Sequence, residues 1–184
     1  MALKKVPFRS VEPLVKKFLS NDSDEALALV GKLRPVRVRG YLTPSELEAV
    51  CRWKAPRVIR HIKANSRALV EGATKRALGT RSERQRLDAL LELRGVGVPM
   101  ASALLMLVDP QRYGVIDIRV WQMLHAIGAV KTKPSGVGFR FQHWYLYLSI
   151  IRHVSKKLGV RARDVEWALF RAHEHYQATN LYRS

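Results

Sequence analysis

A leucine-rich run that stops abruptly at two glycines constrains this chain more than any other stretch. Leu87, Leu90, Leu91 and Leu93 follow a helical period, Gly95-Val96-Gly97-Val98-Pro99 breaks it, and a second apolar run, Met100 to Val108, begins at once. Residues 82–108 therefore read as two helices meeting at a tight glycine hairpin, the first opened by Ser82-Glu83. Glycine at 95 and 97 lets the backbone adopt positive φ and lets another backbone come close with no Cβ in the way. Their amides then face outward at the N-terminus of the second helix, where converging N–H groups and the helix dipole make an anion site. Taken alone, a Gly-x-Gly in this position is better read as an ordinary helix C-cap followed by a turn.

The rest of the chain is helical in pattern too, so the fold class expected is all-α; Val36-Arg37-Val38-Arg39 is the longest alternating stretch. Val11 to Leu19 and Ser23 to Leu33 read as two N-terminal helices, followed by a basic connector. Thr43-Pro44-Ser45-Glu46 opens a third, which runs to about Trp53 before Pro56 forces a break. Arg57 to Leu78 is expected as one long helix or as two joined near Asn65-Ser66, closed by Gly79. Beyond the hairpin, Tyr113 to Ile116 is a short extended link, and Asp117 stands at the N-cap of a helix from Ile118 to Ile127. A loop rich in Gly, Pro and Ser, Lys131 to Gly138, precedes two longer helices, about Arg140 to Leu158 and Ala162 to Gln177.

Charge narrows the choice of partner. The 184 residues carry 33 Lys+Arg against 15 Asp+Glu, a formal charge of +18, and 47% of them are hydrophobic, enough to build one domain or two small lobes. Eleven of the basic residues fall between Arg52 and Arg86, against Glu71 and Glu83 alone. Such an excess points to a polyanion, nucleic acid first. A membrane surface asks for a continuous apolar and aromatic face beside the charge, and this stretch offers only Trp53 as an aromatic. General solubility explains the sign of the charge but not its size. The apolar run Ala101 to Val108 is far shorter than the ~20 residues that cross a bilayer. Met1 to Arg9 lacks the apolar centre of a secretory signal, so a cytoplasmic protein with no membrane partner is expected. The single cysteine, Cys51, excludes an intramolecular disulfide, a cysteine-based zinc site and a four-thiolate iron–sulfur cluster. Ser102 and Ser135 lack a companion His/Asp pattern, and with no Gly-x-x-x-x-Gly-Lys loop present, no nucleotide cofactor is expected.

The stretch Leu90-Leu91-Glu92-Leu93-Arg94-Gly95-Val96-Gly97-Val98-Pro99-Met100-Ala101-Ser102-Ala103-Leu104-Leu105 resembles a known motif. It is similar to the helix-hairpin-helix of the DNA glycosylase superfamily that includes endonuclease III, the adenine-mismatch glycosylase, 3-methyladenine glycosylase II and 8-oxoguanine glycosylase. That motif typically reads L-P-G-V-G-x-x-T-A; here Arg94 replaces the proline, and Ala101 keeps the small residue at which the two helices touch. At the matching distance, Tyr113-Gly114-Val115-Ile116-Asp117-Ile118-Arg119-Val120-Trp121 resembles the family's V-D-T/V-H-V-x-R/W segment, with Asp117 on its aspartate. The resemblance covers roughly Leu42 to Ile127 and implies a two-lobed helical fold. Residues 41–112 would form a central lobe with the helix-hairpin-helix at about 82–108, residues 1–40 plus 113–184 would form the second, and a DNA cleft would lie between them. Fewer helices fit the central stretch than the family lobe usually holds, so a shortened member is implied. The resemblance further implies that Gly95, Val96, Gly97 and Val98 grip a DNA phosphate, and that carbonyls of Leu91, Leu93 and Val96 can hold a structural monovalent cation, with no other cofactor. Where bifunctional relatives carry a Schiff-base lysine this chain has Pro99, which argues against the β-elimination lyase route but not against base excision by water.

Cleaving an N-glycosidic bond builds positive charge on the sugar, so a carboxylate beneath the developing oxocarbenium ion and a water aimed at C1′ lower the barrier. Asp117 is the candidate for that role, and equally a plain N-cap worth about 1 kcal/mol. A flipped base needs stacking groups; Trp121, Trp144 and Tyr145 are the candidates, although Phe141, Trp144, Tyr145 and Leu148 also share one helix face in the manner of core residues. Arg52, Trp53, Lys54, Arg57, Arg60 and Lys63 lie in the basic corner before the hairpin, where they would contact the DNA backbone or wedge into the duplex, Arg57 alternatively capping carbonyls. His173-Glu174-His175 is read as helix surface, because residues two apart on a helix do not share a face. The expectation is a monomeric protein that binds double-stranded DNA and acts as a monofunctional DNA glycosylase in base-excision repair. The alternatives are a non-catalytic helix-hairpin-helix DNA-binding or scaffold protein and a basic RNA binder.

Overall fold

The computed structural model describes residues 4–177. Residues 1–3, the start of the Met1–Arg9 segment, and 178–184, the end of the expected second lobe, lie outside them. The described residues form helices, turns and loops, with no strand among them, so the fold is all-α. In chain order the helices are α1 (Val11–Phe18), α2 (Asp24–Lys32), α3 (Val36–Arg39), α4 (Pro44–Lys54), α5 (Ile59–Lys63), α6 (Arg67–Gly79), α7 (Glu83–Leu91), α8 (Val98–Val108), α9 (Ile118–Ala126), α10 (Phe141–Leu158) and α11 (Ala162–Tyr176). None is long and apolar enough to cross a membrane.

Local chemistry sets most boundaries. The side chains of Ser23, Thr43, Ser66, Ser82 and Asp117 each accept a first-turn amide of the helix that follows. Thr43 and Glu46 close a reciprocal capping box, and Pro44 occupies the first turn of α4. The stretch expected as one or two helices over 57–78 divides into a 3₁₀ turn (Pro56–Val58), α5 and α6, with Asn65-Ser66 as the second joint. Val36–Arg39, despite its alternation, is one helical turn rather than an extended piece. Pro35 precedes it at a helical φ of −62°, Gly40 closes it at φ 80°, and Val36 is buried while Val38 is 94% exposed.

Helix α8 is apolar on every side, and Val98 and Met100 to Val108 are all buried. Helices α2, α4 and α7 pack on it. A second group, α1, α9 and α10, packs around α11. Side chains from both groups merge into one contiguous core.

Two polar features run through that core. Arg163 on α11 holds Asp22 with two hydrogen bonds of 2.8 and 2.7 Å and also donates to Glu166 one turn on. Burial lifts the Glu166 carboxyl above its ordinary range, against the pull of Arg163. The other is His173, which corrects the surface reading of His173-Glu174-His175. Glu174 and His175 are exposed, but His173 is buried against α9, its Nε2 2.9 Å from Gln122 Oε1. Desolvation, with Arg119 nearby, lowers its pKa to about 4.

A histidine kept neutral in the folded state but titrating at about 6.5 when unfolded makes folding less favourable as pH falls from 6.5 towards 4. Chemical denaturation of wild type and His173→Gln across that window should show the wild type losing stability relative to the variant as pH drops. A difference independent of pH would contradict the buried, neutral assignment.

Candidate functional site

The hairpin is closed by the Val96 amide donating to the Leu93 carbonyl at 3.0 Å, with Gly95 at φ 82°. A Cβ on Gly95 would come within 3.1 Å of His61 Cβ and 3.2 Å of Ile62 Cδ1, so both the dihedral and the packing on α5 call for glycine. Asn65, buried at the α5–α6 joint, clasps the turn. Its Oδ1 accepts from the Arg94 amide at 2.8 Å and its Nδ2 donates to the Arg94 carbonyl at 3.0 Å. Helix α8 starts after Gly97 with no side-chain cap, so its first amides have neither an intrahelical carbonyl nor a capping oxygen.

The extended link 113–116 delivers Asp117 to the same place. Every backbone polar group the link buries needs a partner. The Val115 amide donates to Glu166 Oε2 (3.2 Å), its carbonyl accepts from Tyr147 Oη (3.1 Å), and the Ile116 amide donates to Ser102 Oγ (3.0 Å). Full burial beside Glu166 and Asp117 raises the Tyr147 phenol well above its usual value, keeping it a donor. Asp117 then caps α9, Oδ1 accepting from the Val120 amide at 3.0 Å, while Oδ2 accepts from Lys54 Nζ at 3.1 Å. Lys54 is the last residue of α4, which Ala55-Pro56 terminates. The side chains of Lys54 and Asp117 are 20% and 19% exposed, so the pair is neither buried nor freely solvated.

These elements enclose a cleft of about 620 Å³. One wall is Lys54, Ala55, Arg57 and Val58 with hairpin residues Gly95, Gly97, Val98, Pro99 and Met100; the other is Asp117, Ile118, Arg119 and Phe170 with the loop Gly136 to Phe139. Gly136, at φ 69°, passes so near α9 that a Cβ would meet the Ile118 carbonyl oxygen at 2.9 Å. Phe139 lies edge-on to Trp121, with ring centroids 5.3 Å apart, and the Arg119 guanidinium covers Phe170 at 4.8 Å.

Of the residues singled out in the sequence, Gly95, Gly97, Val98, Asp117, Lys54 and Arg57 meet at this cleft. Val96 instead turns its side chain into the core. Arg52, Trp53, Arg60 and Lys63 do not line the cleft. Arg52 and Lys63 sit 3.4 and 3.9 Å from Glu48, Arg60 donates to His61, and Trp53 packs on the core. The base-pocket candidates are corrected. Trp121 and Trp144 are wholly buried, Trp121 donating to the Thr132 carbonyl and Trp144 lying parallel to Tyr113. Tyr145 is exposed, stacks on Phe141 and does not line the cleft. The aromatic groups that do line the cleft are Phe139 and Phe170. The Leu93 carbonyl is already engaged by Val96, and no cluster of three or more His, Cys, Asp or Glu that could hold a metal occurs among the described residues.

Sequence reasoning missed Asn65, Glu166, Tyr147 and Phe170, and it had Ser102 only as a serine without catalytic companions. An Asn at a helix joint and a Glu amid apolar helix positions were the available signals. No family model, curated protein or solved structure matches the chain.

The link tolerates nothing larger than glycine at 114, where a Cβ would lie 2.6 Å from Tyr147 Oη and 2.7 Å from Glu166 Cβ. Gly114→Ala should cost about 1–3 kcal/mol of stability in urea denaturation. Gly31→Ala, in the open on α2, should be neutral or stabilising by about 0.5–1 kcal/mol. Equal effects at the two positions would contradict the packing described for the link.

Proposed function

We propose that the chain binds double-stranded DNA and excises a damaged or mismatched base from a nucleotide drawn into this cleft, water attacking C1′ of the sugar. The observation that carries the reading is the meeting, in one cleft, of a fixed carboxylate, an uncapped helix N-terminus behind a glycine hairpin, and cationic side chains. Asp117 would stabilise the oxocarbenium-like transition state, its orientation set by the Val120 amide. The amides of Gly97 and Val98 would hold a phosphate beside the extruded sugar, with Arg57 and the exposed cations of α4 to α7 along the backbone. Phe139 and Phe170, rather than Trp121, Trp144 or Tyr145, are the rings available to stack on the base. A monovalent cation on the carbonyls of Leu91, Leu93 and Val96 would stiffen the hairpin, and a monomer suffices for all of this.

One observation favours a second reading. Both Asp117 oxygens are engaged, by Val120 and by Lys54, as suits a protein that binds DNA structure without turnover.

Duplexes each carrying one alkylated, oxidised, deaminated or mismatched base separate the two. The excision reading expects alkali-sensitive abasic sites from the wild type and a roughly 100- to 1,000-fold lower rate from Asp117→Asn, with duplex affinity retained. Silence across the panel, with binding that weakens steeply as salt rises, would leave the non-catalytic reading standing. A preference for RNA over duplex DNA would overturn both.

A further inference from the structure

We infer that a recess at the C-terminal end of α8 is a second site, separate from the cleft, that takes a free nucleotide carrying two or three phosphates. The recess has a volume of about 710 Å³, within the usual range for small-ligand sites. It is framed by α3, the end of α6, the end of α8 and the start of the extended link at Tyr113. Val98 lines the cleft and Val108 lines the recess, and ten residues of buried helix hold the two about 15 Å apart. Occupancy of the recess therefore does not depend on what the cleft does.

Five cations line the recess, Arg37, Lys75, Arg81, Arg86 and Arg112, against one carboxylate, Asp109. Helix ends account for two of the five. Arg37 donates to the Val108 carbonyl, and the buried Arg86 donates to the carbonyls of Ala77 and Thr80 and to Glu83. The other three are exposed and in excess. Arg112 stands 3.6 Å from Glu83, a carboxylate that Arg86 and Arg152 already hold. Lys75 and Arg81 have no hydrogen-bond or ion-pair partner among the described residues. Like charges gathered at one opening repel, and a ligand bearing several negative charges turns that repulsion into attraction.

The rest of the lining points to more than a bare anion. Val36, Leu78, Leu105, Val108 and the Tyr113 ring give the recess an apolar wall, which inorganic phosphate would leave wet and a base would cover. Asp109 also has no side-chain partner among the described residues, so its carboxylate is open to a sugar hydroxyl or a base amino group. A carboxylate repels phosphate, and its place among these cations suits a ligand with a donor at its other end. The Gly-x-x-x-x-Gly-Lys loop that the sequence lacks holds phosphates on backbone amides; here guanidinium and ammonium groups supply the donors. Duplex DNA, with its phosphates spaced along an open rail, calls for a ridge of cations rather than a recess with an apolar wall.

Isothermal titration calorimetry of the full chain with ATP, AMP, inorganic triphosphate and adenosine tests this. ATP should bind one to one and roughly 10-fold more tightly than either AMP or triphosphate, with adenosine weakest of all. Lys75→Gln and Arg81→Gln, both at exposed positions, should keep the melting temperature and each weaken ATP binding by about 10-fold. Asp109→Ala should weaken the binding of ATP but not of triphosphate. No binding of ATP, or triphosphate bound as tightly as ATP, would overturn the inference, the latter by reducing the recess to a general anion patch. ATP binding unmoved by the Lys75 and Arg81 variants would place the nucleotide elsewhere and overturn it too. So would a short undamaged duplex that displaces ATP and itself loses affinity in the same variants, because the recess would then belong to the DNA surface. None of these outcomes bears on base excision, which the damaged-base panel decides.

Discussion

The buried backbone of Val115 is what the rest of the structure depends on. Its amide and carbonyl lie where water does not reach, and an unpaired group there costs about 1–3 kcal/mol. Glu166 and Tyr147 supply the partners, from α11 and α10. Glu166 is itself a carboxylate without solvent, so it draws Arg163 into the core, and Arg163 draws Asp22 from the α1–α2 link. A short extended segment thus brings a chain of buried polar groups into the middle of a helical protein, and at its end Asp117 reaches the cleft with a fixed orientation.

Helix α8 supplies the cleft's other half by a related logic. Apart from Ser102 it is apolar, and it is buried along nearly all its length; Arg37 donates to the Val108 carbonyl at its C-terminal end, while its N-terminal end has no side-chain cap. At the N-terminal end the uncapped amides open into the cleft, and the surrounding protein screens the helix dipole less than water would. Asn65 matters for the same reason: it fixes the turn from which those amides point.

How much of this was legible in the sequence follows from the range of each interaction. The hairpin, the capping residues and the placement of Asp117 at the start of α9 rest on contacts within a few residues, and each leaves a local mark such as Gly-Val-Gly or Thr-Pro-Ser-Glu. The fold class follows from periodicity, which is also local. The pairing of Lys54 with Asp117 spans 63 residues, and nothing near Lys54 distinguishes it from the other cations between Arg52 and Arg86. His173 looked like surface because its neighbours Glu174 and His175 are; only Gln122, brought up by the packing of α9 on α11, makes it a core residue. Trp121 and Trp144 had the right chemistry for a base pocket, but large aromatic rings go where the most area can be buried, and that was the core. The rings left at the cleft are phenylalanines, Phe139 in a glycine loop and Phe170 on the flank of α11.

The distance along the chain between Asp22 and Arg163 has a consequence for synthesis. The two lie 141 residues apart, and Glu166 enters through the same guanidinium. A chain emerging from the ribosome can form α4 to α8 from contacts already available, hairpin included. It cannot satisfy Val115 until α11 has been made. The hairpin can therefore be assembled early and Asp117 late, so a nascent or truncated chain that lacks α11 would have one wall of the cleft in place before the carboxylate of the other was held opposite it.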